Sequence, residues 1–152
     1  MTTPSIPTID SISAVTLATH DMARALRFYL ALGFPLRYGG EAASFSSLSA
    51  GNACLNLIAE GDDRAWSWWG RVIFYVSDVD ALYRAALAQG LQPDFAPLDA
   101  SWGERYFHIA DPDGHELSFA TRLACCRPSA SSSSRCSPCS LSPATRCCAA
   151  WP

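Results

Sequence analysis

The sequence predicts an α+β fold in which one β-α-β-β-β unit is written twice. Three observations carry that reading: a self-match at an offset of 57 residues, a helical apolar stripe at corresponding places in both copies, and short alternating runs after each helix. AVTLATHDMARALRFYLALGFP, from Ala14, lies over RVIFYVSDVDALYRAALAQGLQ, from Arg71, without a gap. Val15 falls on Val72, Leu17 on Phe74, Asp21 on Asp78, Leu30 on Leu87 and Gly33 on Gly90.

Each copy starts with an alternating apolar run and then an aspartate suited to cap a helix. The helix that follows has one apolar stripe: Met22, Leu26, Tyr29 and Leu30 in the first copy, and Val79, Leu82, Tyr83, Ala86 and Leu87 in the second. Gly33 and Gly90 supply the stop signals. Three strand-like runs follow each glycine: FPLRY, ASFSSLSA and NACLNLIA, then QPDFAPL, RYFHIA and HELSFAT. Residues 1–123 thus form one domain, with repeats at about 9–59 and 71–123 and a linker, EGDDRAWSWWG, at 60–70. Neither repeat can cover both faces of its own sheet, so the two are expected to pair.

Charge narrows the class of partner. All 14 acidic residues and eight of the 11 arginines lie within the first 123 residues, and the chain has no lysine, which leaves that part net acidic. A body without a basic cluster is not expected to bind nucleic acid. No run approaches the roughly 20 apolar residues of a membrane-spanning helix, and the first residues lack the pattern of a secretory signal. A cytoplasmic protein with a small-molecule ligand is expected.

Six of the seven cysteines fall in the tail, 124–152, which also has eight serines and four prolines and little to pack. That composition predicts disorder. A zinc module at Cys136-x-x-Cys139 would need apolar residues around its metal, and they are missing. The tail is therefore read as an extension, as would arise from translation past the domain's end in a shifted frame. Cys54, alone in the body, is expected to be a buried small side chain.

Strand alternation sorts the faces. Val15 and Leu17, Leu55 and Leu57, Val72, Phe74 and Val76, and Leu117 and Phe119 point to the helices. The opposite face carries Thr16, Asn56, Arg71, Tyr75, Glu116 and Ser118, a mixed set suited to line a cleft. Trp68, Trp102 and Arg105 join it as candidate ligand contacts. Trp66, Trp68, Trp69 and Trp102 are anchors of a dimer interface, stacking walls for a ligand, or plain core filling. His108 lies inside a strand whose register decides which face it takes. His20 is expected beside the first helix cap, and His115 in solvent at the end of a hairpin. Asp111, Pro112, Asp113 and Gly114 are expected to supply turn geometry.

The run HDMARALRFYLALGF from His20, its repeat at Asp78, and WGERYFHIADPDGHELSF from Trp102 together resemble the vicinal oxygen chelate superfamily of glyoxalases, bleomycin-resistance proteins and extradiol dioxygenases. The resemblance covers about residues 9–123. It implies a curved mixed sheet, a half-barrel cleft with the helices outside, often completed across a two-fold homodimer. In the metal-using members, four strands hold a divalent ion that acts as a Lewis acid. The positions matching those ligands are Ala14, Asn56, Arg71 and Ser118, and none is a histidine or a carboxylate. No metal or other cofactor is therefore expected. Two functions remain open: metal-independent sequestration of a small molecule, similar to the bleomycin-resistance branch, or a glyoxalase-like lyase, isomerase or dioxygenase using a relocated metal or a His108/Glu116 acid/base pair. The acidic body favours a cationic ligand, whereas Arg71 and Arg105 would suit an anionic group.

Overall fold

The computed structural model describes residues 10–123; the expectations for the tail, including disorder and Cys136-x-x-Cys139, lie outside the described residues. Each half has the predicted element order. The first runs β1 (Ala14–Thr19), α1 (Met22–Ala31), β2 (Leu36–Tyr38), β3 (Phe45–Ala50) and β4 (Ala53–Ala59). The second runs β5 (Arg71–Tyr75), α2 (Val79–Ala88), β6 (Leu98–Asp99), β7 (Glu104–Ala110) and β8 (Glu116–Arg122). The halves form two four-stranded sheets, β1-β4-β3-β2 and β5-β8-β7-β6. The first strand of each half runs parallel to the last, and the remaining pairs are antiparallel.

Local chemistry accounts for the repeated element ends. Asp21 and Asp78 accept hydrogen bonds from the backbone N–H of Arg24 and Ala81, the capping geometry that satisfies an otherwise orphaned donor. Gly33 and Gly90 follow the two helices with φ of 86° and 77°, a left-handed conformation open to glycine without strain. The expected strand QPDFAPL contracts to Leu98 at the start of β6. Pro93 and Pro97 have no N–H to give a ladder, and Phe95 instead packs against Tyr106 and His108. The helical stripes are narrower than the sequence suggests: Leu30 and Leu87, matched by the repeat, are 46% and 48% exposed.

The helix sides of both sheets merge into one core. Leu17, Leu48, Leu55 and Leu57 from the first sheet share it with Phe107, Ile109, Leu117 and Phe119 from the second, together with the inner face of α1. Phe34, just past α1, crosses the seam. Its ring meets Phe74 edge-on at 5.0 Å and Phe119 at 6.1 Å, while Phe74 and Phe119 stack at 5.5 Å.

A polar clasp closes the other end of the seam, and the turn Asp111-Pro112-Asp113-Gly114 forms it. Gly114 has the positive φ expected of the turn. The two aspartates do more than shape it. Asp111 is buried and accepts from the Tyr29 hydroxyl at 2.7 Å and from the backbone N–H groups of Asp113 and His115. Asp113, its side chain 1% exposed, accepts from the Thr19 hydroxyl at 2.6 Å, the His20 N–H at 3.2 Å and Arg24 at 3.0 Å. Every one of those outside partners belongs to the first half.

His115 is a correction: it is 4% exposed, not in solvent at a hairpin end. The linker folds over it. Trp69 donates Nε1–H to His115 Nδ1 at 2.8 Å, Trp66 stacks on its ring, and Nε2 lies 2.7 Å from the Ala18 carbonyl. A ring that accepts at Nδ1 and donates from Nε2 is a neutral imidazole in a fixed tautomer. His20 is exposed beside the first cap as expected, stacked on the other side of Trp66 at 4.3 Å.

Burial holds the Asp111 carboxyl above its ordinary value of 3.8, the bonds from Tyr29 and His115 working the other way. A carboxyl raised on folding contributes stability that is fully present below the unfolded value and is lost as pH rises through the folded one. Asp111→Asn should therefore gain stability relative to the parent chain as the pH of paired urea titrations is raised from about 4 to about 7. A gap between the two curves that stayed constant with pH would contradict this.

Candidate functional site

Register places the candidate residues. In the second sheet Arg71 is opposite Glu116, Ile73 opposite Ser118, and Ser118 opposite His108, so Arg71, His108, Glu116 and Ser118 share the face away from the helices. His108 therefore takes the same face as Glu116 and Ser118 and not the helix side. Tyr75, Tyr106 and Glu104 lie further along the same face. In the first sheet Thr16 is opposite Asn56 and Asn56 opposite Ser47, with Ala14 beside Cys54.

Arg105 lies on the other side. Residues 105, 107 and 109 alternate toward α2, so the guanidinium binds Asp80 through Nε and Nη2, both at 2.8 Å, and Asp99 through Nη1. The hydrogen bonds that Arg105 donates to Asp80 and Asp99 hold the guanidinium charged, and Arg105 in turn lowers the Asp80 carboxyl. The signal for this was present in the sequence: Phe107 and Ile109 are core residues, and Arg105 shares their parity.

Two carboxylates organise the open face of the second sheet. Glu116 accepts from Arg71 Nε at 2.6 Å and from Trp68 Nε1 at 2.8 Å, with His108 Nδ1 at 3.6 Å. Burial opposes its ionisation, but the hydrogen bonds from Trp68 and Arg71 and the charge of Arg71 outweigh it, so the carboxyl sits below 4.5. Burial and then the charge of Arg71 hold the His108 imidazole below 6.5, against the pull of Glu116 and Asp94. At neutral pH the group is thus an ion pair flanked by a neutral histidine. Glu104 plays the equivalent part at the far end of the strands, accepting from the Tyr75 hydroxyl and from Trp102 Nε1 at 3.1 Å. The bond to Glu104 raises the Tyr75 hydroxyl above 10, so it remains a donor. Trp68 and Tyr75, 70% and 57% exposed, stand at the surface of this face.

Ser118 forms part of the floor. It is fully buried, and its Oγ makes no hydrogen bond among the described residues. A buried hydroxyl left unsatisfied costs about 1–3 kcal/mol. Ser118→Ala should therefore be neutral or stabilising by up to about 1 kcal/mol in chemical denaturation; a clear loss would show that the hydroxyl is paired in solution.

The four positions that resemble metal ligands do not form a site for one. Ala14 offers no donor atom, Asn56 Nδ2 donates to Thr16 Oγ1 at 3.4 Å, and Ser118 is a neutral hydroxyl. Arg71 puts a permanent cation, already bound to Glu116, where a divalent ion would stand. Among the described residues there is no group of three or more His, Cys, Asp or Glu side chains able to hold a metal.

One concavity is not foreshadowed in the sequence. A cavity of about 560 Å³ lies at the seam between β1, the β3–β4 hairpin and β5, lined by Val15, Phe34, Ala53, Cys54, Val72 and Phe119 among others. Only Tyr75 of the predicted site residues borders it. It is built where the edges of the two sheets meet, and no single stretch of sequence encodes that.

The profile of the glyoxalase/bleomycin resistance protein/dioxygenase superfamily matches residues 11–119. The chain belongs to this superfamily. Similar solved structures agree with its fold. TioX from Micromonospora sp. ML1 superposes with a TM-score of 0.62 at 28% identity, over 75% of this chain and 100% of TioX. A glyoxalase/bleomycin resistance protein/dioxygenase from Nocardioides gives 0.64 at 19% identity, over 82% and 91% of the two chains. Lactoylglutathione lyase from Agrobacterium tumefaciens gives 0.63 at 18% identity, over 76% and 96%. The last two likenesses establish the superfamily fold and carry no activity to this member. No curated protein matches the chain significantly. No helix among the described residues is long and apolar enough to cross a membrane.

Proposed function

We propose that this superfamily member is a metal-independent binding protein that sequesters a small molecule, acting in the cytoplasm as a homodimer whose cleft includes the open face of the second sheet. The observation that carries the reading is the Arg71–Glu116 ion pair. It fills a position where metal-using relatives need a ligand, and it is held from a second side by Trp68. The exposed apolar side chains on that face, Trp68, Ile73 and Tyr75, give a ligand or a second copy something to cover.

The chemistry of the face favours a cationic aromatic ligand over an anion. Both arginines once suited to an anion are committed to carboxylates, Arg71 to Glu116 and Arg105 to Asp80 and Asp99. With Arg122 over the Tyr75 ring, what remains beside Glu104 and Glu116 is the rings of Trp68, Trp102 and Tyr106, suited to stacking on a cation. A thermal-shift screen in EDTA against cationic glycopeptides, thiol adducts and catechols tests this. A cationic aromatic compound should raise Tm, since ligand at 100 times its Kd contributes about 2.7 kcal/mol. Trp68→Ala should weaken that ligand by about 1–2 kcal/mol, read by titration calorimetry. Stabilisation only by anions, or only when a divalent metal is added, would refute the reading. Sedimentation equilibrium tests the dimer.

One observation supports a second reading, a lyase or dioxygenase-like enzyme. His108 and Glu116 approach to 3.6 Å, and the neutral imidazole is competent to take a proton. Glu116 is poorly placed as its partner, because Arg71 and Trp68 already occupy the carboxylate. Turnover of a thiol adduct or catechol that was abolished by His108→Gln would favour this reading over sequestration.

A further inference from the structure

We infer that the seam cavity is a second binding site, adjoining the face organised by Glu116 along Ile73 and Tyr75, and that it takes an amphipathic monocarboxylate with a ring-containing apolar body. The cavity, about 560 Å³, is within the range of small-molecule sites. Its lining has no aspartate, glutamate, arginine or histidine, so a charged body would lose its hydration there without compensation. The Phe34, Phe74 and Phe119 rings form its inner wall, with Phe74 and Phe119 stacked and Phe34 edge-on to Phe74. Such a wall accepts another ring in offset or edge-on contact.

The rim supplies the charge. Cys54 lines the cavity, and Arg37 Nη1 donates to its Sγ at 3.1 Å. A thiol is a weak acceptor for a guanidinium whose fork matches a carboxylate. The other arginines of the two sheets, Arg71, Arg105 and Arg122, are each bound to an acid or stacked on a ring. Among the described residues no carboxylate lies within ion-pair distance of Arg37. A neutral apolar chamber with a guanidinium bonded to one of its lining residues, Cys54, is complementary to a molecule that is apolar at one end and anionic at the other. The cavity shares with the Glu116 face neither its charged groups nor its preferred ligand charge, so each site can fail without the other.

The test uses 1-pyrenebutyrate as probe, with 1-pyrenebutanol as its neutral counterpart, on the full chain. Saturable binding of the butyrate, followed by pyrene fluorescence, should be at least about tenfold tighter than that of the butanol, the scale of one charge-assisted bidentate contact. Arg37→Ala should remove that preference while leaving butanol binding unchanged. Ala53→Trp, which fills the cavity, should abolish binding of both. A measurement that needs no variant stands beside these: the butyrate should slow alkylation of Cys54, followed on its own peptide, while alkylation of added free cysteine proceeds at an unchanged rate. Equal affinity for butyrate and butanol, or an Arg37→Ala variant that retains the preference, would overturn the assignment of the anionic end. Absence of saturable binding, or undiminished Cys54 alkylation at saturating probe, would overturn the site itself, including the case in which a second copy of the chain covers it.

Discussion

Replacing Asp113 with alanine is expected to destabilise the fold by roughly 3 kcal/mol, because it strips a buried acceptor from three donors at once. The side chain is 1% exposed and holds the Thr19 hydroxyl, the His20 N–H and Arg24, all from the first half. Water can reach Arg24, which is half-exposed, but Thr19 is fully buried and its hydroxyl loses its shortest bond. Asp113→Asn keeps an acceptor and should cost clearly less. Urea denaturation of the two variants measures both effects. A loss under about 1 kcal/mol for the alanine variant would mean that the clasp contributes little to joining the halves.

Phe34→Ala is expected to cost about 3–5 kcal/mol, the range for removing a buried aromatic ring. Phe34 packs across the seam on Phe74 and Phe119 and edge-on to Tyr29 at 5.8 Å, so the truncation removes the apolar bridge between the halves. It also enlarges the neighbouring cavity, which Phe34 lines, and the surrounding sheets have little freedom to collapse into the space. Phe34→Leu should recover more than half of the loss. A cost near 1 kcal/mol would show that water or side-chain movement already fills the seam.

The parts of this molecule legible in the sequence are those set by local chemistry. Asp21 and Asp78 cap their helices, and parity along β1, β4, β5 and β8 puts Thr16, Asn56, Arg71, Tyr75, Glu116 and Ser118 on one side of their sheets. Arg105 was legible but misplaced, since its parity with Phe107 assigns it to the helix side. His115 and the two turn aspartates were not legible in the same sense. Their roles depend on partners such as Trp69 and Tyr29, 46 and 82 residues away, and only the packing of one half on the other creates those contacts. The linker tryptophans divide for the same reason. Trp66 and Trp69 close over His115, while Trp68 turns to Glu116 on the open face, although all three lie within four residues.

Arg71, with Glu116 as its counter-ion, occupies a position that resembles a metal ligand's in metal-using members, and the proposed sequestration needs no metal there. Elemental analysis of the protein purified without chelator addresses this directly. The expected result is less than about one divalent ion per ten chains, with ligand-induced stabilisation unchanged by EDTA. A stoichiometric zinc, nickel, manganese or iron ion that EDTA removes, with ligand binding lost alongside it and restored by the metal, would contradict the account.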